Sequence, residues 1–142
     1  MKTPLYILLF KVFHAQRIKN RANMSEYNLA PGQPKVLRYI ASHNECKLKD
    51  IAKECDVEPA TVSKILNSLE EKGMITRQIN PQNKRAYQLS LTSTGQKSLE
   101  KWTKHCLEVE KISLNGFSEQ EKDQFRDYLS RMYANLTGKE LR

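Results

Sequence analysis

The sequence has little of what membrane spans and disulfide-bonded domains require. Its most apolar run, residues 5–10, is broken by Lys11 well short of the roughly 20 residues of a spanning helix. No small-residue cleavage site follows the run, which argues against a signal peptide. Only three cysteines are present and no two form a CxxC pair, which argues against a disulfide framework and favours a reducing compartment. We therefore expect a cytoplasmic protein with no membrane partner.

Motifs of catalysis and cofactor binding are missing as well. The chain contains no nucleophile elbow, no phosphate-binding loop and no HExxH sequence, and no histidine pairs with a carboxylate away from helix surfaces. We therefore expect a protein that is not an enzyme and that has no cofactor.

The charge balance is strongly basic. The 142 residues include 24 Lys and Arg against 16 Asp and Glu, a net charge of +8 with a pI near 9.4. Residues 1–95 carry 15 against 8, whereas residues 96–142 carry 9 against 8. Such an excess favours a polyanionic partner, either nucleic acid or an anionic membrane surface.

Glycine and proline are few, five of each, and they fall almost entirely at the junctions between predicted elements. Thr92 is a candidate N-cap for a fifth helix, and residues 118–121 form a capping box for a sixth. No repeat or low-complexity segment interrupts the pattern. The predicted helices cover about residues 5–24, 33–42, 50–57, 59–72, 92–114 and 118–136, with a β-hairpin at residues 74–91.

The most informative segment runs from Ala52 to Gly95. A short helix and a turn lead to a second helix that stops at Gly73, and an alternating hairpin then folds around the polar turn at residues 80–84. Helix, turn, exposed helix and basic hairpin are typical of a winged helix-turn-helix. In that motif one helix reads the major groove of DNA and the hairpin, or wing, reaches the minor groove. On this interpretation the basic excess of residues 1–95 lies on the helix-turn-helix and the wing.

The second helix of this motif has one apolar and one polar face. Val62, Ile65, Leu66 and Leu69 recur at helical spacing and are predicted to be buried. The opposite face is small and polar with a single cation, so the helix could enter a groove about 12 Å wide. The candidate groove-facing residues are Ala60, Thr61, Ser63, Lys64, Asn67 and Ser68.

The helices at the two ends of the chain carry more apolar surface than one small core can bury. The first helix is apolar nearly all round over residues 5–13. The fifth and sixth helices carry apolar stripes at Leu99, Trp102, Cys106 and Val109, and at Phe125, Tyr128, Leu129, Met132 and Leu136. An exposed patch of that size normally marks a subunit interface. We therefore expect a two-fold homodimer, which would also supply two recognition helices.

The chain resembles the MarR family of bacterial transcriptional regulators over nearly its whole length. The resemblance is carried by residues 62–75 (VSKILNSLEEKGMI), Arg77, Pro81, Arg85 and residues 91–95 (LTSTG), in the order and spacing of the family. It implies a mainly α fold with a small β-hairpin wing, a winged helix-turn-helix with N- and C-terminal dimerisation helices. The implied single MarR-like domain spans residues 1–142, with the DNA-binding lobe at residues 33–95 and the dimerisation region at residues 1–24 and 96–142.

The same resemblance implies a function. It is that of a DNA-binding transcriptional regulator, which we interpret as a repressor, acting as a homodimer on a pseudo-palindromic site in double-stranded DNA. Release by a small-molecule effector is common in the family.

Three positions depart from the family pattern. Residues 83–85 read Asn-Lys-Arg where the wing usually has Asp-x-Arg, so the wing arginine loses a carboxylate partner and a looser wing is expected. Glu58 precedes the recognition helix where a better cap is usual. Asp56 stands where glycine is common, and Asp tolerates the left-handed conformation better than most residues.

Candidate DNA contacts also lie outside the recognition helix. Arg85 is the leading wing residue, because narrow A·T-rich minor grooves concentrate negative potential. Arg77 and Lys84 add charge to the same hairpin. Gln33 and Lys35, near the start of the second helix, are candidate phosphate anchors through a helix N-terminus.

A candidate effector pocket lies between the first, second and fifth helices. Aromatic rings with one cation would suit a planar anionic ligand, although the same side chains would serve equally well as core. Its candidate residues are Phe10, Phe13, His14, Arg17, Tyr39 and Trp102.

The sequence supports two variants of such a regulator, a thiol sensor and a metal sensor, less well than a regulator that senses neither. A thiol sensor is disfavoured, since Cys46, Cys55 and Cys106 are expected to be buried and inert, and the first helix carries no cysteine. A metal sensor would use His43 with Cys46, or His105 with Glu108. Neither pair has a clear third and fourth ligand, so no metal site is predicted.

A winged helix used as a protein-interaction module is the alternative from a different class. The basic charge and the polar face of the recognition helix argue against it.

Overall fold

The fold is mainly helical and includes one small antiparallel sheet. The computed structural model describes residues 1–141, without the side chains of Lys84 and Arg85. Its helices are α1 (Leu5–Arg21), α2 (Gln33–Ser42), α3 (Leu48–Cys55), α4 (Pro59–Glu71), α5 (Ser93–Ser113) and α6 (Glu119–Thr137), with a short 3-10 helix at Met24–Tyr27. Its strands are β1 (Glu45–Lys47), β2 (Ile75–Asn80) and β3 (Asn83–Leu91). This confirms the predicted class, mainly α with a small hairpin.

Most helix ends follow the predicted local signals. Gly73, with φ of 71°, comes directly after the last turn of α4. The Thr92 hydroxyl accepts a hydrogen bond from the Gly95 N–H, which caps α5. Ser118 and Glu121 form the full capping box at the start of α6.

Two helices differ from the prediction. α1 ends at Arg21 rather than near residue 24, because the chain turns there into the 3-10 helix. α3 begins at Leu48 and ends at Cys55, since Asp56 adopts the left-handed conformation with φ of 53° and closes the helix. The expected tolerance of Asp56 for that conformation is thereby confirmed.

The sheet has three strands in the order β1-β3-β2, all antiparallel. β2 and β3 form the predicted wing, with Ile75 opposite Leu91 and an irregularity at Ile79 and Asn80. β1 was not predicted, because three residues are too few to show an alternating pattern. It becomes a strand by pairing with β3 across a long stretch of sequence, where Cys46 lies opposite Tyr87.

The core lies between α2, α3, α4 and the sheet. Each residue of the α4 stripe (Val62, Ile65, Leu66 and Leu69) is buried, as its spacing predicts. The largest fully enclosed side chains are Leu37, Ile51, Leu66, Leu69, Met74 and Leu89. Truncating one of these side chains to alanine would lower the free energy of unfolding by about 2–5 kcal/mol. The packing of this core therefore holds α4 in one orientation.

The chain divides into two compact units, residues 1–107 and the residues from Glu108 onward. In the first unit, α1 contains no buried residue, and in the second unit neither does α6. None of the helices within residues 1–141 has both the length and the apolarity needed to cross a bilayer. The division into a lobe at residues 33–95 and a dimerisation region at residues 1–24 and 96–142 stays a prediction.

Gly95 is required by a close approach between the first turn of α5 and the turn after α4. A Cβ atom at position 95 would collide with the Met74 carbonyl oxygen and lie 2.9 Å from its carbon. The approach is held by a 3.0 Å hydrogen bond from the Thr92 N–H to that oxygen. Because the obstacle is backbone, no side-chain rotation can relieve it.

Gly95→Ala should therefore lower the free energy of unfolding by about 2–3 kcal/mol, the range of a strained insertion into a packed site. Gly138→Ala is the matched control. It has no atom within 4 Å of the new Cβ and meets only the cost of a left-handed backbone, with φ of 74°. Urea unfolding at one protein concentration measures both variants. A Gly95→Ala variant that is at least as stable as Gly138→Ala would contradict this packing.

Candidate nucleic-acid interface

The exposed face of α4 carries most of the predicted groove-facing residues. Ala60, Thr61, Lys64 and Asn67 are exposed and Ser63 is half-buried. They lie opposite the buried stripe, so packing of the core holds them toward solvent. Pro59 begins the helix, and Glu58 before it makes no side-chain capping bond.

Ser68, predicted to face DNA, is half-buried beside the start of α2. Its hydroxyl accepts a 2.9 Å hydrogen bond from Gln33 Nε2. The Ser68 hydroxyl thus bonds within the protein, and a DNA contact by Ser68 stays a prediction. The helical wheel places Ser68 on the flank of the polar face, and only the fold shows that α2 lies against that flank.

Gln33, predicted to bind phosphate, is also turned inward. It is 3% exposed, and its side-chain oxygen accepts from the Ala30 N–H at 2.9 Å. Its own backbone N–H donates to the Ala30 carbonyl, so the first amide of α2 is already satisfied. The predicted phosphate contact by Gln33 is thus wrong, whereas Lys35 is exposed and remains a candidate.

Arg77 joins the wing to the recognition helix. Its guanidinium donates to Asn67 Oδ1 at 2.8 Å and to Glu70 Oε1 at 3.1 Å. It also lies 5.6 Å from the centre of the Tyr87 ring, within cation–π range. The guanidinium of Arg77 thus bonds to groups of the protein at its surface and links β2 with α4. A DNA contact by Arg77 stays a prediction.

A second tie holds the far end of the wing. Asn80 Nδ2 donates to Glu45 Oε1 at 3.0 Å, which connects β2 with β1. Asn80 Oδ1 accepts from the Gln82 N–H at 2.9 Å and shapes the turn. The side chains of Lys84 and Arg85 lie outside the described residues, so their roles and the expected looseness of the wing stay predictions.

The distribution of positive charge is different from the sequence-based interpretation. Residues 1–24 carry five Lys and Arg and no Asp or Glu, whereas residues 33–95 carry ten Lys and Arg against seven Asp and Glu. Most of the basic excess therefore lies on α1 and its flanks, and the interpretation that it lies on the helix-turn-helix and wing was wrong. A DNA-binding role thus depends on where individual cations lie, above all Lys64 on the exposed face of α4.

The predicted effector-pocket residues have contrasting surroundings. Phe10 and Phe13 on α1 are 69% and 57% exposed, and Arg17 lies over the Phe13 ring at 5.4 Å. Tyr39 and Trp102 pack against the core. A single chain therefore does not enclose the full set (Phe10, Phe13, His14, Arg17, Tyr39 and Trp102) in one cavity, and the pocket stays a prediction.

A cluster of rings that the sequence did not single out lies beside Trp102. Tyr27 and His105 have ring centres 6.5 and 5.9 Å from that of Trp102, respectively, and His105 Nε2 lies 3.1 Å from the Lys19 carbonyl oxygen. Next in sequence, Asn20 Oδ1 is buried without a hydrogen-bond partner among the described residues. Tyr27 went unnoticed because the 3-10 helix has too few residues to show a pattern.

The histidine pairs considered for metal binding are engaged elsewhere. The His43 ring stacks on Tyr39 at 3.9 Å, and Cys46 donates its S–H to the His43 carbonyl. Within the part of the chain that the structure describes, no three His, Cys, Asp or Glu side chains gather closely enough to hold a metal ion.

The thiols are buried or partly buried, in apolar surroundings. Burial, with a smaller contribution from nearby Asp50, raises the pKa of the Cys46 thiol to about 11. Burial also raises the pKa of Cys55 and of Cys106, against smaller opposing effects of Lys35 and Arg38. A raised pKa keeps the thiol protonated, and a protonated thiol is a poor nucleophile.

Alkylation of the folded protein tests this directly. A pH of 7.5 is far below the pKa of the Cys46 thiol, so the thiol stays protonated. Iodoacetamide should therefore modify Cys46 at least about tenfold more slowly than a free cysteine. Cys106, the most accessible of the three, should react first. Mass spectrometry after timed labelling, with urea-unfolded protein as the control, resolves the three sites. Rapid labelling of Cys46 in the folded protein would revive the thiol-sensor alternative.

Known proteins resemble this chain in both sequence and fold. A model of the MarR family matches residues 29–87. The HTH-type transcriptional regulator BilQ of Clostridioides difficile is 32% identical over 58% of this chain and 60% of its own length. The HTH-type transcriptional repressor MdtR of Bacillus subtilis is 33% identical over 51% of this chain and 47% of its own length. The chain thus spans about half to three-fifths of these curated relatives.

The fold extends the likeness to nearly the whole chain. The structure of the S. aureus MepR–DNA complex superimposes with a TM-score of 0.80 at 27% identity, covering 94% of this chain and 97% of that one. The match includes the helices at both ends, which the family model leaves out. By sequence over residues 29–87, and by fold over nearly the whole chain, the protein is similar to members of the MarR family.

Proposed function

We propose that this protein is a DNA-binding transcriptional regulator, a repressor, that acts as a homodimer on a pseudo-palindromic operator. The observation that carries the proposal is the polar face of α4, exposed by its buried stripe and joined to the wing through Arg77. The MepR relative, with nearly the same fold, has been solved as a DNA complex. The name of MdtR, a repressor, supports the sign of regulation.

In this proposal α4 enters the major groove. Ala60, Thr61 and Ser63 are small enough to let the helix approach the base edges closely, and the two hydroxyls can both donate and accept. Lys64 supplies the cation, to a base or to a phosphate. The side-chain oxygen of Asn67 accepts a hydrogen bond from Arg77, so Asn67 would use its side-chain NH2 group to donate to DNA.

The wing would reach the adjacent minor groove with Arg85 at its tip. β2 is linked to α4 through Arg77 and to β1 through Asn80, and these contacts favour one angle between the base of the wing and the helix before DNA binds. A favoured angle lowers the cost of ordering the hairpin when groove and wing contacts form together.

The dimer is supported by apolar surface on each unit separately. Along α1, Leu5, Phe10 and Phe13 are 79%, 69% and 57% exposed. Along α6, Leu136 is 82% exposed and Tyr128 is 55% exposed. Removing apolar surface from water is favourable by about 25 cal/mol for each Å², so both faces favour contact with a second copy of the chain. A two-fold dimer would present two α4 helices to successive major grooves.

Release by a small-molecule effector is the third part of the proposal. The rings of Tyr27, Trp102 and His105 would bind a planar ligand by stacking, and a second chain could cover the exposed aromatic residues of α1. Such a regulator acts in the cytoplasm, where its DNA lies.

Substitutions in helix and wing test the DNA-binding proposal. The probe is the duplex that wild-type protein enriches most from a randomised library. Arg85→Ala should weaken its binding by about 1–3 kcal/mol and reduce the preference for A·T-rich flanks. Lys64→Ala should act at one base position or, if it meets phosphate, lower the slope of log K against log salt by about one for each half-site.

The control is Lys101→Met, which removes a charge from an exposed position on α5. It should bind nearly as wild type does, and all three variants should keep the wild-type melting temperature because the changed positions lie outside the core. Failure of the wild-type protein to enrich any duplex would contradict the proposal and favour a protein-interaction role for the winged helix.

A further inference from the structure

Among the described residues, Gln33 is the polar residue that is buried in the core. Both the oxygen and the nitrogen of its side-chain amide form hydrogen bonds. The oxygen accepts from the Ala30 N–H at 2.9 Å and from Lys72 Nζ at 2.7 Å. The nitrogen donates to Ser68 Oγ at 2.9 Å. One amide therefore connects the start of α2 with two positions at the end of α4.

Lys72 completes this set of contacts. Its ammonium donates to the Asn28 carbonyl at 2.9 Å as well as to Gln33. It is half-buried, and burial lowers the pKa of Lys72. Ser68 and Lys72 are four residues apart, so both project from the same side of α4 toward residues 28–33.

The backbone of residues 28–33 is shaped to lie against α4. Asn28 and Gly32 both have positive φ, 57° and 87°. A Cβ at Gly32 would lie 3.1 Å from Ile65 Cδ1, so the lack of a side chain at this position lets the loop lie close to α4. The close approach of Gly32 to α4 and the part-buried hydrogen bonds of Gln33 thus lie in the same region.

We propose that Gln33 and Lys72 are positioning residues that hold α4 in register with residues 28–33 and so set the placement of its DNA-binding face. The inference rests on the proposed function, since the face in question is the one proposed to bind DNA. We call the contacts among Asn28, Gln33, Ser68 and Lys72 the latch. Arg77 holds the opposite flank of α4, so the helix is fixed from two sides.

The position of Lys72 separates this role from an ordinary DNA contact. A lysine that binds phosphate releases counterions, so its loss lowers both affinity and salt dependence. The ammonium of Lys72 is held by Asn28 and Gln33 inside the protein. Its loss should weaken binding through misplacement of α4 while the salt dependence stays as it was. Groups that contact DNA need placement to about half an ångström, so a small shift is enough.

The experiment measures affinity for the selected duplex at two salt concentrations. Lys72→Met and Gln33→Met should each weaken binding about tenfold, with the wild-type salt slope. Gln33→Glu is the conservative variant, since its carboxylate can still accept from Ala30, Lys72 and the Ser68 hydroxyl. It should bind within about threefold of wild type. Lys64→Ala and Lys101→Met serve as the charge controls.

A stability control distinguishes positioning from folding. Ile51→Val removes one methyl group from a fully buried site on α3, a helix that carries no residue of the latch, and lowers the melting temperature. Measured well below each melting temperature, it should bind duplex as wild type does. If the two methionine variants also bind like wild type, the latch only stabilises the fold and the proposal is wrong. A salt slope reduced in Lys72→Met as in Lys64→Ala would overturn it too.

Hydrogen exchange gives a readout that does not depend on DNA. Lys72→Met should speed amide exchange in residues 28–33 and in the last turn of α4, with little change in α3 or the sheet. Unchanged exchange at both places would contradict the latch. If wild-type protein enriches no duplex while these amides respond as expected, the proposed function fails and the latch stands as a contact between α4 and the loop.

Discussion

Val62, Leu66 and Leu69 are fully enclosed by α2, α3 and the sheet, and a helix buried along one side in this way cannot rotate about its axis. Turning α4 by even one position would expose leucine and bury Lys64, at a cost of several kcal/mol. The residues opposite the stripe are therefore held in solvent by the core itself. Every element of the proposed interface depends on this orientation.

Burial of one side fixes the rotation of α4 about its axis. Polar contacts on its two flanks constrain its position along that axis and its tilt. On one flank Arg77 joins Asn67 and Glu70 to the wing. On the other, Gln33 and Lys72 join it to residues 28–33. Arg77 and Gln33 were predicted from the sequence to contact DNA, and in the structure both bond within the protein. A polar residue beside the proposed DNA-binding face can therefore serve to orient that face through bonds within the protein.

The elements that sequence reasoning recovered are those marked by local chemistry. Glycine and proline at junctions, the capping box at Ser118 and the stripe of α4 depend on neighbours within one or two turns. β1 and the latch depend on residues far apart in sequence, such as Cys46 with Tyr87 and Gln33 with Lys72, and no local pattern reveals them. The direction of a flank residue such as Ser68 was missed for the same reason. The helical wheel shows which residues share a side but not which element will cover it.

Two α4 helices related by a two-fold axis would bind DNA differently from one. The most direct measurement is hydroxyl-radical footprinting of the wild-type protein on the duplex that it selects. The account predicts two symmetric protected segments with centres about 10 bp apart, flanked by minor-groove protection where the wings reach. A single asymmetric protected segment, bound as tightly as the full site, would contradict it.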